Sequence, residues 1–206
     1  LYLEKCDFPY SPRFLGIDSK GREILSFIKG QVPRAIPLTF EQRIDALKIL
    51  REFHNLLSDS ILCGEQETVC HNDFAPWNII VRDDSVVGVI DFDELSPGKR
   101  IDDVSYFIWT FLDLGNSEVS DTKQIENMVG LVNAYGLEDK GKMVPAIFRQ
   151  QNRILKFRNQ IVLNEKDAAK KDFSKNAVKR IKESMHWVKL NKDKIENALL
   201  FNPKAA

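Results

Sequence analysis

The sequence lacks an excess of charge of either sign. Its 206 residues carry 30 Lys and Arg side chains and 30 Asp and Glu side chains, so the formal net charge at pH 7 is zero. Partners with a dense negative charge, such as nucleic acid or an anionic membrane, usually bind basic proteins. We therefore expect neither kind of partner for this chain.

Cysteine and long apolar runs are also scarce. Cys6, Cys63 and Cys70 have neither the number nor the spacing of a disulfide framework or a zinc site, and each is expected to be a small buried apolar residue. No apolar run approaches the roughly 20 residues that cross a bilayer, and no signal-peptide pattern opens the chain. These observations predict a protein of the reducing cytoplasm.

What the chain does contain is enough apolar surface for a packed core. Hydrophobic residues make up 43% of the sequence and aromatic residues 10%, which is typical of a globular protein of one or two domains. Charge is unevenly distributed, because residues 150–206 carry 14 basic and 6 acidic side chains. We expect this last quarter to form a basic block of helices.

Two segments near the start predict a hairpin and a helix. The apolar runs RFLGID and REILSFI flank Ser19-Lys20-Gly21, which has the composition of a turn, so they predict an antiparallel pair of strands. Further on, Thr39 and Gln42 match a capping box in front of EQRIDALKILREFHNLL. Apolar residues in that stretch recur every three positions and predict an amphipathic helix.

A second hairpin is predicted around the polar turn at residues 82–85. VCHNDFAPWNIIV precedes the turn and VVGVIDFD follows it. Because antiparallel pairing brings the start of one strand to the end of the other, Asp73 and Asn78 should lie close to Asp91 and Asp93. The sequence thus predicts three carboxylates and one amide at one end of this hairpin.

From Asp103 onward the pattern is helical. The first apolar stripe predicts a helix with Asp102 or Asp103 at its N-cap, and three later stripes predict three more helices. The stripes are Val104, Phe107, Ile108, Phe111 and Leu112; Ile125, Met128, Val129 and Val132; Ile147, Ile154, Leu155 and Ile161; and Phe173, Ala177, Ile181 and Met185.

The clustered polar groups have the chemistry of a magnesium site. Carboxylate and amide oxygens are the hard donors that Mg²⁺ prefers, and such sites often combine one or two carboxylates with substrate phosphates. The order H-x-D-x-x-x-x-N, hairpin, D-F-x is also the second half of the protein-kinase signature. Each part alone has an ordinary explanation, since the spacing occurs by chance, Asp-Phe-Asp can end a strand and Pro-Trp can be a packing corner. Together the parts indicate phosphoryl transfer.

Three motifs, His71 to Asn78, Ile90 to Asp93 and Arg100 to Val104, resemble one known family. They are similar to the aminoglycoside phosphotransferase and choline kinase-like family, which has the protein-kinase fold. The resemblance implies an α+β fold in which residues 1–29 comprise the hinge and a remnant of the N-terminal nucleotide-binding lobe. This remnant would be a hairpin of two strands. Residues 30–206 would form a mostly helical lobe that carries the catalytic hairpin and binds the acceptor.

The resemblance also implies roles in the reaction. Asp73 would orient and deprotonate the acceptor hydroxyl, while Asn78 and Asp91 would hold Mg²⁺ against the phosphates of ATP or GTP. Asp93 would be either a supplementary metal ligand or a structural residue, and both interpretations stay open.

Three further polar residues have supporting roles. By the resemblance, His71 would tie the catalytic loop to the core, and Asp103 would be a helix cap and loop anchor rather than a catalyst. His54, on the first amphipathic helix, is expected to be an ordinary packed or surface residue.

The segment REILSFIKG resembles the hinge between two kinase lobes. There Leu25 would lie beside the nucleotide, and the backbone of Ser26 and Ile28 would pair with the base. Ile80 and Ile90 would form the apolar floor beneath it.

The first parts of a kinase-like small lobe have no counterpart in this sequence. Neither a Gly-rich loop over the phosphates nor a strand Lys paired with a helix Glu is found among the 206 residues. We expect an upstream portion to be missing. The faces of Ile24, Leu25 and Phe27 would then lack sheet neighbours, and we expect them to promote self-association.

Two functions therefore remain open. The first is a phosphotransferase that moves the γ-phosphate of ATP or GTP to a hydroxyl of a small molecule. The family acts on aminoglycosides, choline, homoserine and sugars, and the basic last quarter argues mildly against a polycationic aminoglycoside. The second is a non-catalytic kinase-like module, or an inactive fragment, which the absent Gly-rich loop favours. A magnesium-dependent hydrolase is less supported, because the Asp-to-Asn spacing has no role there.

Overall fold

The computed structural model describes residues 2–33 and 38–201. Its α-helices are α1 (Tyr2–Lys5), α2 (Phe40–Ser58), α3 (Arg100–Leu112), α4 (Asp121–Tyr135), α5 (Met143–Asn164), α6 (Ala168–Leu190) and α7 (Lys192–Phe201). Its strands are β1 (Phe14–Ile17), β2 (Glu23–Leu25), β3 (Thr68–Cys70), β4 (Ile79–Arg82), β5 (Ser85–Val89) and β6 (Ser96–Gly98). Single 3₁₀ turns occupy Ile61–Cys63, Pro76–Asn78 and Lys140–Lys142. The α+β composition is the one expected.

The chain forms two compact units, Leu1–Asp103 and Val104–Ala206. The expected lobes, residues 1–29 and 30–206, are a different kind of division and stay a prediction. No helix within the described ranges has both the length and the apolarity needed to cross a membrane.

Both predicted hairpins are confirmed in the first unit. β1 pairs with β2 in antiparallel register, with Phe14 opposite Leu25, and β4 pairs with β5, with Ile79 opposite Val89. The segment before the second hairpin is not one continuous strand, as the sequence had suggested. It contains β3, which pairs with β6 (Val69 opposite Pro97), and a loop that separates β3 from β4. That loop holds the candidate catalytic residues.

Helix α2 supports this loop. Its predicted capping box is present, because the Thr39 hydroxyl accepts from the Gln42 amide (3.2 Å) and the Gln42 side chain accepts from the Thr39 amide (2.9 Å). The apolar face of α2, including Leu47, Leu50 and Phe53, is buried, and the helix packs against β3 and β5. A side chain on the inner face of α2 therefore reaches the end of β3.

The predicted N-cap of α3 is wrong. The helix begins at Arg100, and the Asp102 amide already donates to the Lys99 carbonyl at 2.8 Å. Asp102 and Asp103 consequently lie inside the first turn, and the Asp103 side chain is used for other contacts. The apolar stripe that starts at Val104 is fully buried, as expected.

The second unit is helical. The three later stripes correspond to α4, α5 and α6, and the sequence did not predict α7, which packs against α4 and α5. Gly136 ends α4 with a left-handed backbone (φ 75°), a conformation that glycine adopts without a steric penalty. The α6 stripe is only partly buried, because Phe173 is 63% exposed. α7 was missed because its buried residues, Ile195 and Leu199, are too few to form a stripe.

Candidate active site

The loop after β3 begins on a buried carboxylate. The Asp103 side chain is almost completely buried, and its Oδ2 accepts from the His71 amide at 2.6 Å while its Oδ1 accepts from the Asn72 amide at 2.8 Å. The Nε2 atom of His54, from the inner face of α2, lies 3.0 Å from Oδ2. Two consecutive backbone amides and one imidazole thus hold the start of the loop.

The charge of Asp103 follows from these contacts. Burial alone raises the pKa of its carboxyl, but the hydrogen bond and charge of His54, together with the His71 contacts, outweigh that effect and lower the pKa below its usual value. Asp103 is therefore ionised at neutral pH. Because an ionised carboxylate only accepts hydrogen bonds, the His54 Nε2 atom facing it carries a proton.

Asn72 turns the chain between the anchor and the candidate base. Its backbone is left-handed (φ 63°), which Asn tolerates better than most residues. Its side-chain amide donates to the Glu94 carbonyl at 2.7 Å and to the Ser96 hydroxyl at 2.9 Å. The turn is thereby tied to the segment that leads into β6.

Asp73 and Asn78 contact each other directly. The Asn78 Nδ2 atom donates to the backbone oxygen of Asp73 at 2.9 Å and to its carboxylate Oδ2 at 2.8 Å. Pro76 opens the 3₁₀ turn that folds the chain back, and the Asn78 amide closes the turn on the Ala75 carbonyl at 2.9 Å. The five-residue spacing of the sequence motif therefore produces a carboxylate–carboxamide pair.

The second hairpin brings Asp91 to the same end of the sheet. The Ile90 amide donates to the Asn78 carbonyl at 2.9 Å, so Asp91 follows directly on the residue paired with Asn78. Asp91 has a left-handed backbone (φ 65°) and an exposed side chain. Non-glycine residues in this conformation are often found at functional sites. Asp93 is also exposed.

Phe92 fixes the segment that carries these two aspartates. Its ring centroid lies 4.9 Å from that of His71 and 6.1 Å from that of Phe53. The aromatic contact couples the end of β5 to the start of the loop after β3. Asp91 and Asp93, on either side of Phe92, are left facing solvent.

The donor atoms at this end of the hairpin fit a magnesium ion. The Asn78 Nδ2 atom is used twice by Asp73, which leaves the Oδ1 atom as the ligand that Asn78 can offer. Asp91, one residue after the backbone partner of Asn78, adds an exposed carboxylate. Amide and carboxylate oxygens are hard ligands, the type that Mg²⁺ requires.

A second cluster of side chains of types that can bind metals lies at the start of the loop after β3. His54, Cys70 and Asp103 have ligand atoms within 4.8 Å of one another. Burial, with the nearby carboxylates of Asp103 and Asp102, raises the pKa of Cys70 far above its ordinary value, and its thiol lies 3.3 Å from the Lys99 carbonyl. Both Asp103 oxygens are already hydrogen-bonded. The hydrogen bonds of Asp103 make this group an anchor for the loop after β3.

Comparison with known proteins identifies the family. The model of a phosphotransferase enzyme family, APH, matches residues 3–142, which is more than half of the chain and includes every residue of the site described above. The chain belongs to this phosphotransferase family. The family resemblance inferred from the three sequence motifs is thus confirmed.

One relative of this family member carries the name of an immunity protein. It is the trifolitoxin immunity protein of Rhizobium leguminosarum bv. trifolii, which is 26% identical over 162 residues, 68% of this chain. The chain spans 62% of the length of that relative.

Two solved structures share the fold. A complex of gentamicin with APH(2")-IIa matches 89% of this chain and 79% of its own, with a TM-score of 0.54 and 16% identity. The ADP-bound aminoglycoside phosphotransferase APH(2'')-Ib matches 97% of this chain and 80% of its own, with a TM-score of 0.53 and 17% identity. These matches confirm the expected protein-kinase-like fold.

Of the residues expected at the nucleotide, Ile28 and Ile80 lie close together and both pack on Gly88. The Ile28 side chain packs on Gly88, where an added Cβ would come within 2.8 Å of Ile28 Cδ1 and 3.5 Å of Ile80 Cβ. Ile80 is buried, Ile90 is half-buried and Leu25 is 48% exposed.

Ser26 needs one refinement. Its amide donates to the Arg13 carbonyl at 2.8 Å, and its hydroxyl accepts from the Arg13 amide at 2.8 Å. The Ser26 amide is thus used within the hairpin of β1 and β2, so only a role for the Ser26 carbonyl is compatible with the expected pairing to the base.

His54 was the main omission of the sequence interpretation. It was expected to be an ordinary packed or surface residue; it is packed, being fully buried, but it also binds the Asp103 carboxylate. Its position in the sequence could have predicted its burial. It follows Leu50 by four positions and precedes Leu57 by three, which places it on the buried face of α2. A histidine on an apolar face needs a polar partner, and that partner is far away in sequence.

The pKa of His71 gives a testable consequence. Burial lowers the pKa of this imidazole, against the opposing influence of the Asp103 and Asp73 carboxylates. The unfolded chain therefore binds a proton at His71 at a higher pH than the folded chain does. Stability should fall as the pH drops below about 6.5, the ordinary histidine value. The ionised Asp103 carboxylate also stabilises the folded state, and this stabilisation is lost in a separate pH range, as the pH falls below about 3.9.

We expect the free energy of unfolding of the wild type to decrease from pH 7 to pH 5.5, with His71 contributing at most about 1.4 kcal/mol per pH unit. Urea denaturation at the two pH values would measure this. His71→Asn should have a smaller pH dependence, and His186→Asn, at an exposed site, should keep that of the wild type. An unchanged slope in His71→Asn would contradict the assignment.

Proposed function

We propose that this chain is the base- and metal-binding part of a small-molecule phosphotransferase. It would transfer the γ-phosphate of ATP or GTP to a hydroxyl group. The observation that carries the proposal is the pair of Asp73 and Asn78, joined at 2.8 Å, at the end of a hairpin whose other strand leads to Asp91. Membership of the phosphotransferase family supports the same reaction class.

Asp73 acts as the base in this proposal. Its carboxylate accepts the proton of the acceptor hydroxyl, and the freed oxygen attacks the γ-phosphorus. The bond between that phosphorus and the bridging oxygen breaks, and the nucleoside diphosphate leaves with the electron pair. The contact from Asn78 restricts the rotation of the carboxylate, so the base is oriented before the acceptor binds.

Asn78 and Asp91 hold the metal in this proposal. The Asn78 Oδ1 atom and the Asp91 carboxylate would bind Mg²⁺, and Asp93 would either add a ligand or keep a structural role. Bound Mg²⁺ would neutralise charge on the donor phosphates. Because Asn78 also contacts Asp73, one side chain sets the spacing between the base and the phosphate donor.

The nucleotide base would lie on the apolar surface formed by Ile80 and Ile90. Leu25 would border it, and the Ser26 carbonyl and the Ile28 backbone would pair with its polar edge. The close packing of Ile28 over Gly88 supports this location, because it holds the candidate hinge against β5. His71 and Asp103 support the loop and do not contact the reacting atoms.

The acceptor is a small hydroxyl-bearing molecule. The rival proposal is a kinase-like protein that binds nucleotide without transferring phosphate. The two proposals differ in turnover and not in metal-dependent binding. The expected cytoplasmic location and the expected lack of nucleic-acid and membrane partners stay predictions.

Thermal unfolding with and without nucleotide tests the metal assignment. Mg²⁺ with ATP or GTP at about 100 times the dissociation constant should raise the melting temperature by about 5–10 °C. Asp91→Ala should abolish the shift because it removes a metal ligand. Asp73→Asn should keep the shift and lose phosphate transfer by about 10²- to 10⁴-fold, since it removes only the base.

The control is Asp59→Ala, which removes an exposed carboxylate at the end of α2 and should leave both the shift and the transfer unchanged. Equal shifts in the wild type and Asp91→Ala would refute the metal site. A normal shift with no transfer to any compound in a panel of alcohols, amino alcohols and sugars would favour the non-catalytic alternative.

We also propose that the first hairpin mediates self-association. β1, β2 and the residues after them expose five large apolar side chains, with exposed fractions of 45–87%. They are Leu15, Ile17, Ile24, Leu25 and Phe27. Exposed strand edges with apolar faces readily pair with another chain.

Light scattering over a range of protein concentrations should therefore show a mass that rises with concentration. Phe27→Glu should reduce that rise, whereas Leu163→Glu, at another highly exposed site in α5 (77%), should not. A monodisperse monomer at every concentration would argue against this surface.

A further inference from the structure

Trp77 is a large apolar side chain at the candidate base. It lies within the 3₁₀ turn of Pro76–Asn78, and 45% of its surface is exposed. Its indole Nε1 atom donates to the Asp73 Oδ2 atom at 3.4 Å. The same oxygen accepts from the Asn78 Nδ2 atom at 2.8 Å.

The exposure of Trp77 helps to decide whether this residue only stiffens the loop or also acts on the Asp73 carboxylate. A tryptophan that only stiffens the loop would be expected to bury its ring, since burial of the ring supplies most of its stabilising effect. Phe74, in the same loop, does this and is 1% exposed. Trp77 instead leaves much of its ring in solvent and places its one polar atom beside the carboxylate.

We propose that Trp77 is a positioning residue for Asp73, an inference that rests on the proposed function of Asp73 as the base. The indole N–H and the Asn78 amide bind one carboxylate oxygen, Oδ2, from two side chains of the same turn. With this oxygen held by two donors, the carboxylate keeps one orientation. The proton of the acceptor is then taken by a group that does not need to reorient.

Removing the indole N–H should lower the rate of turnover without changing the binding of the nucleotide. Trp77→Phe keeps a ring in the turn but removes the N–H donor. It should lower kcat roughly 3- to 10-fold, the range expected for a hydrogen bond to a charged group at a partly exposed site. The KM for the nucleotide should stay unchanged, because the contact is with the base and not with the metal ligands. The reaction to follow is the Mg²⁺-dependent conversion of ATP to ADP with water as the acceptor.

A spectroscopic measurement tests the contact without turnover. The chain has three tryptophans, and Trp77→Phe assigns the indole N–H resonance of Trp77 in a proton–nitrogen correlation spectrum. Asp73→Asn should move that resonance upfield, because a neutral amide is a weaker acceptor than a carboxylate. Trp187 provides a matched control, since its Nε1 atom donates to Asp121 Oδ1 at 2.7 Å.

Asp121→Asn should move only the Trp187 resonance, and Asp73→Asn only that of Trp77. A Trp77 resonance that does not respond to Asp73→Asn overturns the proposal, whatever the activity. So does a Trp77→Phe variant whose kcat equals that of the wild type. If the wild type transfers phosphate neither to water nor to any compound of the acceptor panel, the proposed function fails, and the resonance shift alone then decides whether Trp77 holds Asp73.

Discussion

The hydrogen bonds to the Asp103 carboxylate are the constraint on which the site depends. Two consecutive amides, those of His71 and Asn72, and the imidazole of His54 bind this buried group. Removing the carboxylate would leave buried donors without partners, which costs more than the net worth of the bonds themselves. Because the amides belong to the two residues that precede Asp73, a contact made by Asp103 determines where the segment carrying this candidate base begins its turn.

The remaining geometry follows from this anchor in a few short steps. Asn72 adopts a left-handed backbone and bonds to the segment before β6, Pro76 begins the 3₁₀ turn, and Asn78 returns to Asp73. The Asn78 carbonyl then accepts from Ile90, which brings the end of β5 to the same point. Phe92 packs on His71, so the anchor, the candidate base and the candidate metal-binding segment share one set of contacts. A disturbance at the Asp103 anchor should therefore reach both Asp73 and the segment that carries Asp91.

The first amphipathic helix and the two hairpins could be predicted because the residues that specify them are neighbours in the sequence. The capping box at Thr39 and the turn residues of both hairpins specify structure within a few positions. The pattern Asp73, Asn78 and Asp91 indicated a metal-dependent phosphotransferase for the same reason, since its spacing is a property of one loop and one hairpin. The partners of Asp103 could not be deduced in this way. His54 and His71 lie 49 and 32 positions from it, and no period in the sequence links them. The N-cap prediction for α3 failed because Asp103 resembles a capping residue locally while its oxygens are used by distant donors.

Amide hydrogen exchange at His71 and Asn72 tests the anchor most directly. In the wild type both amides should exchange slowly, because each donates to an ionised and buried carboxylate. In Asp103→Asn the amide that loses its acceptor should exchange about tenfold faster or more, while the amide of Leu50 in α2 keeps its protection. Unchanged protection of both amides in Asp103→Asn would show that other contacts hold the loop, and it would contradict the role of Asp103 as the anchor of the site.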